Sequence, residues 1–181
     1  MNYCSQCGKE LSYTIPAGDD RHRHVCPACD TVHYQNPNII TGCIAVHEDR
    51  VLLCKRAIEP RAGLWTLPAG FLENGETLSE GALRESREEA NANLALEGLY
   101  GIFDITHINQ VYMLYRATLL DLSFHPGDES LETALFAESE IPWDALAFPV
   151  IGLALEHFYE DLARGDFTLK TGRIQKRMRS S

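Results

Sequence analysis

The chain predicts an α/β protein: an α/β/α sandwich around a mixed sheet, preceded by a small cysteine-bearing module. Three observations carry that expectation. Strand-like segments alternate with two helix-period segments between residues 37 and 169. A length of 181 residues with 45% apolar content suits one main domain of ordinary size plus an appendage. Two Cys-x2-Cys pairs crowd into the first 36 residues. The division that follows is a module over 1–36, a main domain over 37–169 and a basic tail over 170–181.

In the amino-terminal module, Cys4-x2-Cys7 and Cys26-x2-Cys29 are separated by eighteen residues, the spacing of a four-cysteine zinc ribbon. Each pair turns tightly enough to aim two thiolates at one ion, and Gly8 suits the first turn. A closed four-sulfur site leaves no position for water, so zinc bound by Cys4, Cys7, Cys26 and Cys29 is structural. A module this short buries little core, and metal binding then supplies most of its folding free energy. The rival reading, a redox dithiol pair, is disfavoured by the two matched motifs. His22, His24 and His33 are read as loop histidines, and Cys43 and Cys54, in apolar stretches, as ordinary buried thiols.

Tyr34-Gln35-Asn36-Pro37 closes the module. Ile39 to His47 and Arg50 to Arg56 read as strands joined by a Glu48-Asp49 turn. Leu64 to Gly70 reads as a strand entering a turn. Thr77-Leu78-Ser79-Glu80 is a capping box that opens a helix, and Asn91 suits the left-handed residue that ends it. Leu78, Ala82 and Ser86 give that helix a narrow face of mostly small residues for close packing on a sheet. Leu94 to Ile105 and Gln110 to Leu120 are two further strands, linked by His107-Ile108-Asn109. Phe124 to Leu131 reads as a loop and Leu135-Phe136 as a short strand. Ile141-Pro142-Trp143 opens a short helix, and Phe148 to Arg164 is a longer amphipathic helix stopped by Gly165.

The helix after the capping box carries the chemistry. Glu85, Glu88 and Glu89 stand at i, i+3 and i+4, one face of the helix, and are expected to converge on one point. Two like charges about 5 Å apart repel by roughly 3 kcal/mol at an effective dielectric near 20. A hard divalent cation removes that cost, since Mg²⁺ prefers oxygen ligands on a rigid frame. A Glu-rich helix face is more often simply solvated, but here the spacing extends much further. Gly70, five residues, Glu76, seven residues, then Arg84-Glu85-Ser86-Arg87-Glu88-Glu89 resembles the Nudix box, G-x5-E-x7-R-E-U-x-E-E-x-G-U, where U is bulky and aliphatic. Every charged position of the box is present. Ser86 and Ala92 replace aliphatics and Asn91 replaces the glycine, departures that touch packing and helix termination rather than ligands.

That resemblance implies the Nudix α/β/α fold and hydrolysis of a nucleoside diphosphate linked to another group. It assigns Glu85, Glu88 and Glu89, with the Gly70 carbonyl, to Mg²⁺ or Mn²⁺, and Arg84 to orienting the glutamates. Arg56 and Arg61 are candidate phosphate contacts, with a plain surface role as the alternative. For a general base, the acidic run Asp128-Glu129-Ser130-Leu131-Glu132 lies in the region where related diphosphatases carry one, and Glu132 is favoured over Glu129, the alternatives being a box glutamate acting directly or an ordinary acidic loop. Tyr34, Phe71 or Trp65 is a candidate stacking platform for an adenine, Trp65 being equally suited to the core. The wider match is similar to the plant FAD and ADP-ribose diphosphatase type. It rests on the paired Cys-x2-Cys motifs, Tyr34-Gln35-Asn36-Pro37, Leu52 to Arg56, Gly63 to Gly70, Glu129 to Glu132 and Leu146-Ala147-Phe148. Bacterial NADH diphosphatases share the ribbon but carry Ser-Gln-Pro-Trp-Pro-Phe-Pro after the box, which is absent here. The resemblance also implies a homodimer acting on a small-molecule nucleotide.

Other classes are weighed against this reading. A ligand-sensing Nudix regulator needs a DNA-binding module, and no helix-turn-helix region is recognised. A net charge of −10 argues against generic nucleic-acid affinity. The tail residues Lys170, Arg173, Lys176, Arg177 and Arg179 lack an acid among them; a solvated tail is expected over a nucleic-acid or phosphate role, with strand pairing near Phe167 to Leu169 able to anchor its start. No segment approaches a membrane span, and Met1-Asn2-Tyr3-Cys4 has no secretory character, so the expectation is a cytoplasmic protein with reduced cysteines.

Overall fold

In the computed structural model, which describes residues 1–175, each Cys-x2-Cys pair closes the same tight turn. The Gly8 amide donates to the Cys4 carbonyl and the Asp30 amide to the Cys26 carbonyl, each at 2.9 Å. Gly8 and Asp30 stand four residues beyond the first cysteine of their pairs, both with left-handed backbone (φ 70° and 56°). The turns are joined by three short strands, β1 (Ser12–Thr14), β2 (Arg23–Val25) and β3 (Val32–His33), in an antiparallel sheet ordered β1-β2-β3. These strands had no legible sequence pattern. This first compact unit spans Met1–Asn36, and the second begins at Pro37.

The second unit is built on β4 (Asn38–His47), β5 (Arg50–Arg56), β6 (Trp65–Thr66), β7 (Ala69–Phe71), helix α1 (Leu78–Ala90), β8 (Leu94–Ile105), β9 (Gln110–Leu119), β10 (Ser130–Phe136), helix α2 (Pro149–Arg164) and β11 (Lys170–Arg173). Its sheet has eight strands, in the order β10-β5-β4-β9-β8-β11, with β6 on β5 and β7 on β4. β4 runs parallel to β9 and β11 parallel to β8, while β5 is antiparallel to both β4 and β10. The mixed sheet expected from the sequence is present.

Both faces of the central strands are buried, which explains their nearly unbroken apolar runs. Along β4, Ile40 and Ile44 face one core and Cys43 and Ala45 the other; along β5, Val51 and Leu53 alternate with Leu52 and Cys54. The larger core holds α2 through Val150, Ile151, Ala154, Leu155 and Phe158. Pro149 opens that helix and Gly165, at φ 69°, ends it. The smaller core holds α1 through its small residues. Ala82 and Ala90 are buried there, the Thr41 hydroxyl donates to the Leu78 carbonyl at 2.9 Å, and Cys43 meets the Ala82 carbonyl. A narrow helix face lets backbone and sheet approach this closely.

Two elements differ from expectation. Strand β10 begins at Ser130, not near Leu135, because an edge strand pairs through its backbone and needs no apolar pattern on its open side. A solvated tail was expected from residue 170, yet Lys170–Arg173 forms β11, with Lys170 opposite Gly101 and Arg173 opposite Asp104. The remaining tail cations, Lys176, Arg177 and Arg179, lie outside the described residues. Among the described residues, no helix is long and apolar enough to cross a membrane.

A buried charge anchors that last strand. Asp161 of α2 is 1% exposed at its side chain and accepts from Lys170 Nζ at 2.8 Å, Tyr100 Oη at 3.0 Å and Arg164 Nη2 at 2.8 Å. Burial pushes its carboxyl up, but Lys170, Tyr100 and Arg164 outweigh it and hold the group below the usual carboxylate range. Asp161→Asn should therefore cost about 1.5–3 kcal/mol at pH 7, the worth of hydrogen bonds to a charged group. Since the folded value is depressed, this stability is complete above the ordinary aspartate value of about 3.9 and is lost as the pH falls through the lower folded one. Urea midpoints of wild type and variant, well separated at neutral pH, should converge in acid.

Candidate active site

Strand β7 runs the chain past the face of α1 and thereby sets the Gly70 backbone against the Glu85 carboxylate. A Cβ at Gly70 would overlap all three heavy atoms of that carboxyl group, so any side chain there would have to displace the Glu85 carboxylate. The α1 amino terminus is closed by the expected capping box: Glu80 N donates to Thr77 Oγ1 at 3.3 Å, and Thr77 N to Glu80 Oε2 at 2.8 Å. Its carboxyl end is the left-handed Asn91, at φ 48°.

Arg84 is the hub of the carboxylates. Its guanidinium forks onto Glu76, with Nε at 3.0 Å and Nη2 at 2.6 Å, and Nη1 donates to Glu85 at 2.6 Å and Glu88 at 3.0 Å. Nη2 also reaches the Phe71 carbonyl at 3.0 Å. That grip pulls Glu76 down to about 2 and holds Arg84 firmly charged. Glu89 lies apart from the arginine, 6% exposed, touched by the Ala69 amide at 3.3 Å. Burial first, and the charge of Glu85 second, push Glu89 up to about 8. Glu85 is raised as well, by burial.

The three glutamates share one cleft but do not gather at a single point, as their spacing suggested. Among the described residues, Cys4, Cys7, Cys26 and Cys29 are the one group of three or more ligand atoms lying within 4.8 Å of one another. Arg84 Nη1 bridges Glu85 and Glu88, while Glu89 is held separately by the Ala69 amide. What remains is a set of hard oxygen donors in which burial first and the Glu85 charge second raise Glu89, the donor chemistry a divalent cation would suit.

Around this face opens a cleft of about 1550 Å³. Arg56, Arg61, Gly70 and Phe71 line it beside Arg84, Glu85, Glu88 and Glu89. Phe71 is 53% exposed, an open ring at the mouth. Arg56 donates to the Pro60 carbonyl and lies 5.3 Å from the centre of the Phe148 ring.

The matches to known proteins agree with this geometry. Residues 2–35 match the model of the Nudix amino-terminal zinc ribbon, and residues 37–151 match the Nudix domain, well over half of the chain. The chain belongs to the Nudix hydrolase family. A solved Nudix hydrolase from Nitrosomonas europaea is 55% identical and superposes with a TM-score of 0.94, covering 97% of this chain and 100% of that one. The NAD-capped RNA hydrolase NudC of Vibrio atlanticus is 34% identical over 91% of the chain and 60% of its own length. An ADP-ribose pyrophosphatase of Methanocaldococcus jannaschii is 27% identical over 60% of the chain and 67% of its own length. The chain spans about half the length of several NAD-capped RNA hydrolases it matches.

Arg84, Glu85, Glu88 and Glu89 of the box all line the cleft. Two candidates of this unit, Glu132 and Trp65, lie outside the cleft lining. Glu132 is not in the cleft: on edge strand β10 it lies opposite Lys55, pairs with that ammonium at 3.5 Å and is 55% exposed at its side chain. A register shift between Ser130 and Glu132 separates it from its neighbour Glu129, which does line the cleft and whose charge raises both Glu85 and Glu89. Trp65 is a core residue, 9% exposed and packed edge-on to Phe136 at 4.9 Å. Tyr34 belongs to the first unit, where the Arg23 guanidinium lies 5.0 Å from its ring centre.

Sequence reasoning missed part of the cleft lining. Ile105, His107, Ile108 and Gln110, at and between the ends of β8 and β9, with Ile174 and Gln175 after β11, also line it. No local motif marks them; only the parallel pairing of β11 with β8 brings the two segments together.

The four cysteines are free, with Cys4 and Cys29 sulfurs 3.7 Å apart and Cys7 and Cys26 sulfurs 3.4 Å apart. Tetrahedral zinc with bonds of about 2.3 Å demands sulfur pairs about 3.8 Å apart, so the cage has the right size. Thr31, through its hydroxyl and amide, favours the Cys29 thiolate, lowered to about 6. The Lys9 amide pulls Cys7 down, but its three cysteine neighbours push it up to about 12. Only a cation lets all four ionise together.

Proposed function

We propose that the protein is a metal-dependent diphosphatase that splits the pyrophosphate of a dinucleotide or nucleotide sugar, with FAD and ADP-ribose as its substrates. The observation that carries this reading is the Arg84–glutamate face beneath Gly70, opening on a cleft larger than the roughly 300–1,000 Å³ of ordinary ligand pockets. A two-part substrate uses that room. Its diphosphate lies over the carboxylate face, and its two ends reach toward Phe71 and toward the His107–Gln110 wall. In this reading Glu85, Glu88, Glu89 and the Gly70 carbonyl hold Mg²⁺ or Mn²⁺. Such ions, when bound, neutralise the diphosphate and acidify the attacking water.

The protein's own groups do the rest. Arg84 orients Glu85 and Glu88, and Arg56 and Arg61 offer cations to the phosphates. Glu129 takes the proton of the attacking water, a role the exposed, Lys55-paired Glu132 is badly placed to fill. Water adds to one phosphorus as the bridging oxygen leaves with the other phosphate: FAD gives FMN and AMP, and ADP-ribose gives ribose 5-phosphate and AMP. The four-cysteine unit holds structural Zn²⁺, and the dimer implied by the resemblance is tested by light scattering.

The names of the NudC relatives favour a second reading, NADH or a NAD cap as substrate. One panel separates the two. The zinc-loaded protein with Mg²⁺ is given FAD, ADP-ribose and NADH, and the products are resolved by chromatography. AMP with FMN or ribose 5-phosphate as the preferred outcome supports the lead reading; NADH turned over fastest supports the second; no turnover of any overturns both.

A further inference from the structure

Asn91 stands where the Nudix box has glycine, and its side chain does something a glycine does not. From the end of α1, Asn91 Nδ2 lies 3.2 Å from the His125 carbonyl, 3.4 Å from the Pro126 carbonyl and 3.1 Å from His125 Nδ1. The same loop caps the helix end from the other side. The His125 amide donates to the Ala90 carbonyl at 2.9 Å and the Gly127 amide to the Glu89 carbonyl at 3.0 Å. Gly127 lies so tightly on the helix that a Cβ there would collide with the Glu88 carbonyl. Two residues further on, the Glu129 carbonyl accepts from the Ala57 amide at 2.8 Å, tying the loop to the end of β5. Asn91, His125, Gly127 and Glu129 all line the cleft.

We infer that Asn91 is a positioning residue: its amide clamps the 125–129 loop to the carboxylate helix and so holds Glu129 at a fixed distance from Glu85 and Glu89. This rests on the proposed role of Glu129 as general base. The substitution at the box glycine is then functional rather than a tolerated departure. Both residues adopt the left-handed conformation, but only asparagine adds donors that reach the loop carbonyls. Geometry of this kind matters steeply, since a displacement near 1 Å at a reacting group costs up to about 100-fold in rate.

The test uses steady-state kinetics of the zinc-loaded full chain with Mg²⁺ on its best substrate from the panel. Asn91→Gly keeps the left-handed backbone without strain and loses only exposed hydrogen bonds, so its tryptophan-monitored thermal midpoint should fall by no more than a few degrees. Its kcat should nonetheless fall about tenfold with KM within twofold. Asn91→Asp, which cannot donate to the carbonyls, should behave like the glycine variant. In a Glu129→Gln background, Asn91→Gly should change kcat by less than twofold, because the group it positions is already lost. If Glu129→Gln slows turnover but Asn91→Gly does not, or slows it equally in both backgrounds, the clamp is refuted and the base assignment stands. If Glu129→Gln leaves kcat unchanged, the base assignment falls and takes the clamp with it.

Discussion

Glu89→Gln should lower kcat by at least about 100-fold while leaving the second unit as stable as before or more so. The two effects have one cause. Glu89 is a carboxylate buried beside Glu85, held near neutral by burial and by that neighbour's charge. In the proposed role of cation ligand its loss is severe, since even residues that merely support metal ligands cost 10–100-fold when lost, by general experience. Without the cation its charge is a liability. The folded value, about 8, lies above the unfolded glutamate value of about 4.3, so the folded chain binds a proton that the unfolded chain releases. Stability of wild type, with Mg²⁺ omitted, should therefore decline as the pH rises from about 4.3 to about 8, and the glutamine variant should escape that decline. Both tryptophans, Trp65 and Trp143, lie in the second unit, so their fluorescence follows its unfolding without interference from the first. Equal decline in both proteins, or full activity of the variant, would remove Glu89 from the proposed ligand set.

The second large effect concerns the first unit. Cys26→Ser should abolish zinc binding and unfold Met1–Asn36. Cys26 is fully buried and its sulfur lies 3.4 Å from that of Cys7, so no other group can replace it without rearrangement. A domain below about 40 residues rarely stands on its own core. Structural zinc contributes roughly 10–16 kcal/mol of apparent binding free energy in comparable fingers, and that binding is folding energy. Metal analysis should read one zinc per wild-type chain and none in the variant, and limited proteolysis should cut the variant within residues 1–36 while sparing wild type. A variant that keeps its zinc and its protease resistance would show that the cysteines are not the cage.

Much of the fold is legible because its signals are local. The Thr77–Glu80 box and Asn91 bracket α1 by hydrogen bonds within a turn or two, and the apolar runs of β4 and β5 report burial on both faces. The cysteine pairs announce their turn in four residues each. What was not legible depends on distant partners. β11 reads as a polar tail, Lys-Thr-Gly-Arg, and becomes a strand because β8 offers an edge and Asp161 offers a buried counter-charge to Lys170. The polar start of β10 concealed a strand, and with it the register that turns Glu132 toward Lys55 and leaves Glu129 in the cleft. The spacing of Glu85, Glu88 and Glu89 states their common helix face, but Arg84's hold on two of them exists only in three dimensions.

That hold frames the most direct test. A crystal of the zinc-loaded protein soaked in Mn²⁺ and measured at the manganese edge should show anomalous density between Gly70, Glu85 and Glu89, with Glu85 turned away from Arg84 to reach it. Density elsewhere in the cleft, with Glu85 and Glu88 still bound to Arg84 in a crystal that hydrolyses its substrate, would contradict the account.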